Sequence, residues 1–294
     1  MKYAIITDIH SNLEALTSVF QRIDALGVDE VICLGDLVGY HANPNECVKL
    51  IRERGVRCIT GNHDRAATGL KEPVYFSEAG RRAILWTRRE LTEDSLEFLK
   101  ALPVFEVIDK RILIVHAGVH PHPNEDVRLN SGVDVIKSFD AMIRLFPDVK
   151  VCFVGHAHRS LVYQYRDWRL AWIMGQARVD GHRIGAGGER AGAPVEKPDQ
   201  LVSLEPSPRY LVNPGSVGQS RDGDPRAAFL VYDDLDQTLR FHRVEYDWEL
   251  CYRKAEQAGL MYKETRLRKS VNWIAARIAS GENIVKRTVA RRFQ

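Results

Sequence analysis

Five short apolar runs in this chain each end in a side chain that can bind a metal or carry a proton. Residues 3–7 run into Asp8-Ile9-His10, and residues 31–34 run through Gly35 into Asp36. Residues 57–60 lead through Gly61 into Asn62-His63-Asp64. Residues 112–115 end in His116, and residues 151–154 lead through Gly155 into His156-Ala157-His158. Such runs, alternating with helical patterns, read as strands of an α/β layered fold. In open α/β sheets, sites form outside the carboxyl ends of strands, so topology alone brings these polar residues together. Asp8 and His10 are two apart, as are His156 and His158; in extended chain each pair would face one way.

Between these strands lie amphipathic helices. Ser11 or Asn12 can cap a helix carrying Leu13, Leu16, Phe20 and Ile23, and Asn43-Pro44-Asn45 opens a second. Residues 78–101 read as one helix with Ala83, Leu85, Trp86 and Leu91 on its apolar side. Asp109-Lys110 between two strand patterns predicts a hairpin, and residues 134–146 predict a helix. The second half is strand-rich, at 161–165, 169–174, 201–204, 209–213, 227–232 and 238–245, which suggests a second, largely antiparallel sheet. The expected fold is a two-sheet β-sandwich flanked by helices. It spans residues 1–246, with a Gly-, Pro- and charge-rich surface insertion at about 180–200. A basic helical extension follows at 247–294.

Charge separates the tail from the rest. The net charge is +3, yet nine basic residues and two acidic ones lie between 263 and 294, leaving the remainder slightly acidic. A basic helical tail of this kind either docks on its own domain or meets nucleic acid or another acidic surface. Five dispersed cysteines (Cys33, Cys47, Cys58, Cys152 and Cys251) with no CxxC pair suit buried thiols in a reducing cytoplasm and exclude a cysteine-rich zinc site. No run is long enough for a membrane helix.

Carboxylates, imidazoles and one amide, with no thiolate, form a mixed oxygen and nitrogen donor set. Such a set suits Mn²⁺, Fe, Zn²⁺, Ni²⁺ or Co²⁺, and its size fits two ions rather than one. The ordered motifs D-x-H, G-D, G-N-H-D, H and G-H-x-H resemble those of the calcineurin-like metallophosphoesterase superfamily. The later stretch "NPGSVGQSRDGDPRA" resembles its bacterial phosphodiesterase branch. The resemblance implies that Asp8, His10 and His158 hold one metal. Asn62, His116 and His156 hold the second, and Asp36 bridges both. It also implies that His63 lies outside the metal shell, facing substrate as a proton donor or phosphate contact, with Asp64 hydrogen-bonded to it and favouring its cationic form.

Two such metals, Mn²⁺ foremost, would lower the pKa of a shared water from 15.7 towards about 7 for in-line attack on phosphorus. Where other branches carry Asp-Arg-Gly after the G-D motif, this chain reads "GDLVGYHANP". An arginine fork clamps a dianionic phosphate, so its replacement by Gly39 and Tyr40 leans the expectation towards phosphodiesters. Arg65, Arg221 or Arg226 could take the fork's place. A phosphomonoesterase, a protein phosphatase, or a nuclease steered by the basic tail are the alternatives. A non-catalytic scaffold fits poorly, because His63 and all seven ligand candidates are present.

Overall fold

The structure is a computed structural model. It describes residues 1–129, 131–165 and 200–260, together with the backbone of three two-residue strands between them. Sheet A has the order β11-β14-β13-β1-β2-β3. Its strands are β1 (Lys2–Ile6), β2 (Glu30–Cys33), β3 (Arg57–Cys58), β11 (Leu201–Ser203), β13 (Ala227–Asp233) and β14 (Thr238–Val244). Sheet B has the order β10-β7-β12-β6-β5-β4. It comprises β4 (Phe105–Ile108), β5 (Ile112–Val115), β6 (Val151–Phe153), β7 (Ser160–Tyr165), β10 (Ala193–Pro194) and β12 (Arg209–Pro214). A separate short ribbon pairs β8 (Arg178–Val179) with β9 (His182–Arg183).

Alternation along the strands explains the layers. Tyr3 and Ile5 of β1 join Ile112 and Ile114 of β5, Phe153 of β6, and Leu230 and Tyr232 of β13 in the core between the sheets. The opposite faces, Ala4 and Ile6 of β1 and Phe229 of β13, pack against Leu16, Val19 and Phe20 of α1 (Leu13–Asp24). Leu113 and Val115 of β5 and Cys152 of β6 pack against Val135, Phe139 and Met142 of α6 (Gly132–Leu145). Central strands buried on both faces read as continuous apolar runs, which is how they appeared in the sequence.

Two expectations need correction. The second-half strands do not form a sheet of their own. β13 and β14 pair beside β1, whereas β12 pairs in parallel with β6, so each sheet mixes both halves. The helix expected at 78–101 is two helices, α4 (Glu78–Glu90) and α5 (Glu93–Ala101). Leu91 is extended, and Thr92 caps α5 by accepting from the Ser95 N–H. Within α4 the buried face also differs from the one expected: Ile84 and Thr87 are buried and Leu85 is exposed.

Other elements follow expectation. Asn12 caps α1, Pro44 opens α2 (Pro44–Glu53), and β4 and β5 form the hairpin. Residues 62–67 form the short α3 (Asn62–Ala67). The helix α7 (Trp248–Gln257) buries Cys251 and Ala255, and Lys254 reaches Glu14 of α1 at 2.5 Å. Residues 261–294 and the strand expected at 169–174 lie outside the described residues, as does most of 180–200. All five cysteines are buried free thiols. No helix among the described residues is long and apolar enough to cross a membrane.

Candidate metal centre

The carboxyl ends of β1, β2 and β3 in one sheet meet those of β5 and β6 in the other. The loop after β1 continues alongside the loop after β2: the His10 N–H donates to the Asp36 carbonyl at 2.9 Å, and Ser11 to Leu37 at 2.9 Å. The His156 N–H crosses between sheets to Oδ2 of Asp8 at 3.0 Å. Gly61 sits so close to Asp36 that a Cβ on it would collide with the Asp36 carboxylate and backbone nitrogen.

The paired motifs do not use the extended chain expected of them. Asp8 and His10 both have φ 52°, Asp36 has φ 54°, and His156 and His158 have φ 66° and 56°. This left-handed conformation costs a non-glycine residue roughly 1–2 kcal/mol. Five strained positions in one site are held by the surrounding hydrogen bonds, and they turn the side chains inward rather than alternating them across a pleat.

The seven expected ligands come together. Asp8, His10 and His158 form one cluster, and Asp36, His116 and His156 form another. Asp36 lies between them, with Oδ2 at 3.7 Å from Nε2 of His10 and 3.3 Å from Nε2 of His116. Asn62 Oδ1 closes the second cluster, 3.1 Å from Nε2 of His116 and 2.8 Å from Nδ1 of His156. The ring orientations follow from backbone carbonyls, which can only accept. Nδ1 of His10 donates to Val38, that of His116 to Leu34, and that of His158 to Gln219 at 2.6 Å. Each Nε2 is thereby directed into the site as a lone-pair donor, the arrangement that orients metal-ligating histidines.

The electrostatics favour positive charge at the centre. Burial pushes the Asp36 carboxyl up, but His116 and His63 beside it bring it well below the usual carboxylate range. Burial likewise works against His116, yet Asp36 and Asp8 carry its imidazole up to about 10. His156 is lowered to about 3, by burial and then by His116. These donors, fully buried and converging on two points, fit a pair of divalent cations by their chemistry and orientation.

Asp64 is placed differently from expectation, and His63 lacks the hydrogen bond expected from it. The His63 ring is buried against His10, Tyr40 and Phe76, with centroids 4.7, 4.8 and 4.6 Å away, and it shares a possible ligand group with His10 and Asp36. Asp64 does not bind it. The Asp64 carboxylate accepts the N–H groups of Val38 at 3.2 Å and Gly61 at 2.9 Å, holding the two ligand loops together. The His63 ring is therefore not held cationic: burial lowers it to about 4. Asp64 itself is pushed up to about 7 by burial and by Asp36.

Three further polar residues near the motifs make structural contacts. Asn213 donates to the Gly155 carbonyl, Ser216 donates to the Asp8 carbonyl, and buried His242 stacks on Phe229. Of the arginines offered for the missing fork, Arg65 is paired with Asp126 and Arg226 with Asp224. Arg128, unremarked in the sequence, donates from Nε to Nε2 of His156 at 2.8 Å. It lies in a loop with no motif around it, so no sequence signal pointed to it.

Comparison with known proteins identifies the family and the fold. Residues 1–160 match the calcineurin-like phosphoesterase family. The uncharacterized protein MJ0912 of Methanocaldococcus jannaschii is 35% identical over 85% of this chain and 90% of its own length. A metallophosphoesterase structure from Sphaerobacter thermophilus is 33% identical, covers 89% of this chain and 95% of that one, and superposes with a TM-score of 0.69. A hypothetical protein, PH1004, from Pyrococcus horikoshii shares the fold at 18% identity and a TM-score of 0.62, covering 89% of this chain and 95% of that one. With its sandwich of two mixed sheets and its buried Asp and His cluster, this chain belongs to the calcineurin-like phosphoesterase family.

Proposed function

We propose that this phosphoesterase is a phosphodiesterase dependent on two divalent cations, Mn²⁺ foremost. The observation that carries the dinuclear reading is the position of Asp36, whose one carboxylate oxygen faces the imidazoles of both clusters. Asp8, His10 and His158 would hold one ion and Asn62, His116 and His156 the other, with Asp36 shared between them. Such a pair supplies an activated water at neutral pH and neutralises charge on the phosphoryl oxygens.

The chain's own residues supply the rest. His63 stands at the edge of the cluster between Tyr40 and Phe76, where its ring N–H can stabilise a departing oxygen by a hydrogen bond. Tyr40 fills the place of an arginine fork, and two of its proposed substitutes, Arg65 and Arg226, are tied to carboxylates. Without a bidentate fork at position 40, single arginine contacts suit the monoanionic diester better than the dianionic monoester.

The test is hydrolysis of bis(p-nitrophenyl) phosphate against p-nitrophenyl phosphate by Mn²⁺-loaded protein. The diester is expected to give the higher kcat/KM, and His63→Ala should lower kcat on it by roughly 10²-fold. Preference for the monoester would overturn the diester assignment. Absence of turnover with Mn²⁺, Fe²⁺, Co²⁺ and Ni²⁺ alike would overturn the catalytic one.

A further inference from the structure

Beside the metal centre lies a cleft of about 280 Å³. One wall is the 218–225 loop, with Gln219 and Arg221. The other is aromatic, formed by Tyr246 and, on the first half of α7, Trp248 and Tyr252. Trp248 and Tyr252 meet edge to face at 5.7 Å.

The polar wall is built into the site. The Gly218 N–H donates to the Asp8 carbonyl at 2.9 Å and the Arg221 N–H to the His158 carbonyl at 3.0 Å. The Gln219 carbonyl receives the His158 ring at 2.6 Å. Any group held in the cleft is therefore registered against the first ligand cluster. The Arg221 guanidinium is 6.0 Å from the Tyr40 ring centroid, and that ring is 4.8 Å from both His10 and His63. Two arginines close by in sequence or space, Arg226 and Arg243, are neutralised by Asp224 and Asp222. Arg221 donates to Gln219 Oε1 at 3.0 Å and has no carboxylate partner among the described residues.

Aromatic rings on one side, an amide on the other, and an uncompensated guanidinium towards the metal centre match a flat heteroaromatic group joined to a phosphate. An acyl chain would desolvate Gln219 and Arg221 without replacing their hydrogen bonds. We infer that this cleft binds the nucleoside of a nucleotidyl phosphodiester. The base lies against Trp248 and Tyr252, and Arg221 meets the phosphate oxygens. This assignment rests on the phosphodiesterase reading and names its substrate class.

The experiment compares thymidine 5′-(p-nitrophenyl phosphate) with methyl p-nitrophenyl phosphate, which share one leaving group, on the Mn²⁺-loaded full chain. Wild type is expected to prefer the nucleoside ester by about tenfold in kcat/KM, the scale of one base–aromatic stack. Trp248→Ala and, separately, Tyr252→Ala should reduce that ratio towards about one, and Trp248→Phe should restore most of it. Equal use of both esters by wild type, or an unchanged ratio in Trp248→Ala, overturns the cleft assignment while the phosphodiesterase reading stands. If neither ester turns over, the phosphodiesterase reading falls, and calorimetry decides the cleft. AMP must then bind about tenfold tighter than ribose 5-phosphate, with the difference lost in Trp248→Ala; equal binding of the two overturns it.

Discussion

Nε2 of His10 and Nε2 of His158 face each other at 3.1 Å, and each ring has already committed its Nδ1–H, to the carbonyls of Val38 and Gln219. Oδ1 of Asp8 lies 3.2 Å from the same His158 nitrogen. Three acceptors pointed at one spot repel one another unless a positive charge lies between them. The fold holds them there with hydrogen bonds and left-handed backbone, so a cation relieves a conflict the protein would otherwise carry.

It follows that metal binding should stabilise the fold markedly. Protein stripped with a chelator should melt several degrees lower than protein reloaded with Mn²⁺, since a ligand at a hundredfold excess over Kd adds about 2.7 kcal/mol. Metal analysis should find about two ions per chain. Asp8→Ala should leave about one, whereas Asp36→Ala, which strips both clusters of a shared carboxylate, should leave fewer than that. Unchanged metal content in Asp36→Ala would contradict the bridging geometry.

Asp64 should act through stability. Its buried carboxylate accepts the N–H groups of Val38 and Gly61, for which no other acceptor is within reach among the described residues. Asp64→Ala leaves two buried donors unpaired and is expected to cost about 3 kcal/mol, read from the urea midpoint. Asp64→Asn keeps one acceptor oxygen and should cost roughly half as much. Equal stability of wild type and Asp64→Ala would remove the loop-holding role.

What the sequence made legible divides along physical lines. The ligands were readable because each ends an apolar strand, and strand ends in an α/β fold are placed by topology. Asp64 was misread because its partners are backbone N–H groups. One of them, Val38, is 26 residues away and enters only when β2 and β3 pair. The assignment of β13 to one sheet and β12 to the other was equally hidden, since both are apolar runs and the parallel or central strands that fix them, β1 and β6, are more than fifty residues distant. The α4–α5 break had a signal in Thr92, a good cap followed by Glu93 and Asp94, but hydrophobic spacing across it masked that signal. The left-handed turns at Asp8, His10, Asp36, His156 and His158 left no mark, because such turns ordinarily carry glycine or asparagine.

Gly61 should tolerate no side chain. A Cβ there meets the Asp36 carboxylate and its backbone nitrogen, both fixed by other contacts, including the His63 N–H on Oδ1 at 2.7 Å. Gly61→Ala is expected to destabilise by about 3 kcal/mol and to displace the one carboxylate both clusters share. Circular dichroism melts and metal analysis on the same sample would test it. Retention of both ions at wild-type stability would show that the loop can yield.

Arg128 is expected to bind substrate rather than support the fold. Its Nε–H donates to Nε2 of His156, whose other nitrogen, Nδ1, faces Asn62 Oδ1 at 2.8 Å. An imidazole that binds a cation through Nδ1 carries its proton on Nε2, and two N–H donors cannot share that line. In the metal-loaded protein the guanidinium must turn away, and the nearest fitting acceptor is a phosphoryl oxygen of the ester. It has no carboxylate partner among the described residues to draw it elsewhere. Arg128→Ala should raise KM for a diester by about tenfold while lowering kcat far less, with metal content and melting temperature close to wild type. Arg128→Lys should recover part of the loss, because the charge remains and the planar fork does not. A loss of bound metal in Arg128→Ala, with KM unchanged, would place this arginine behind His156 as a support.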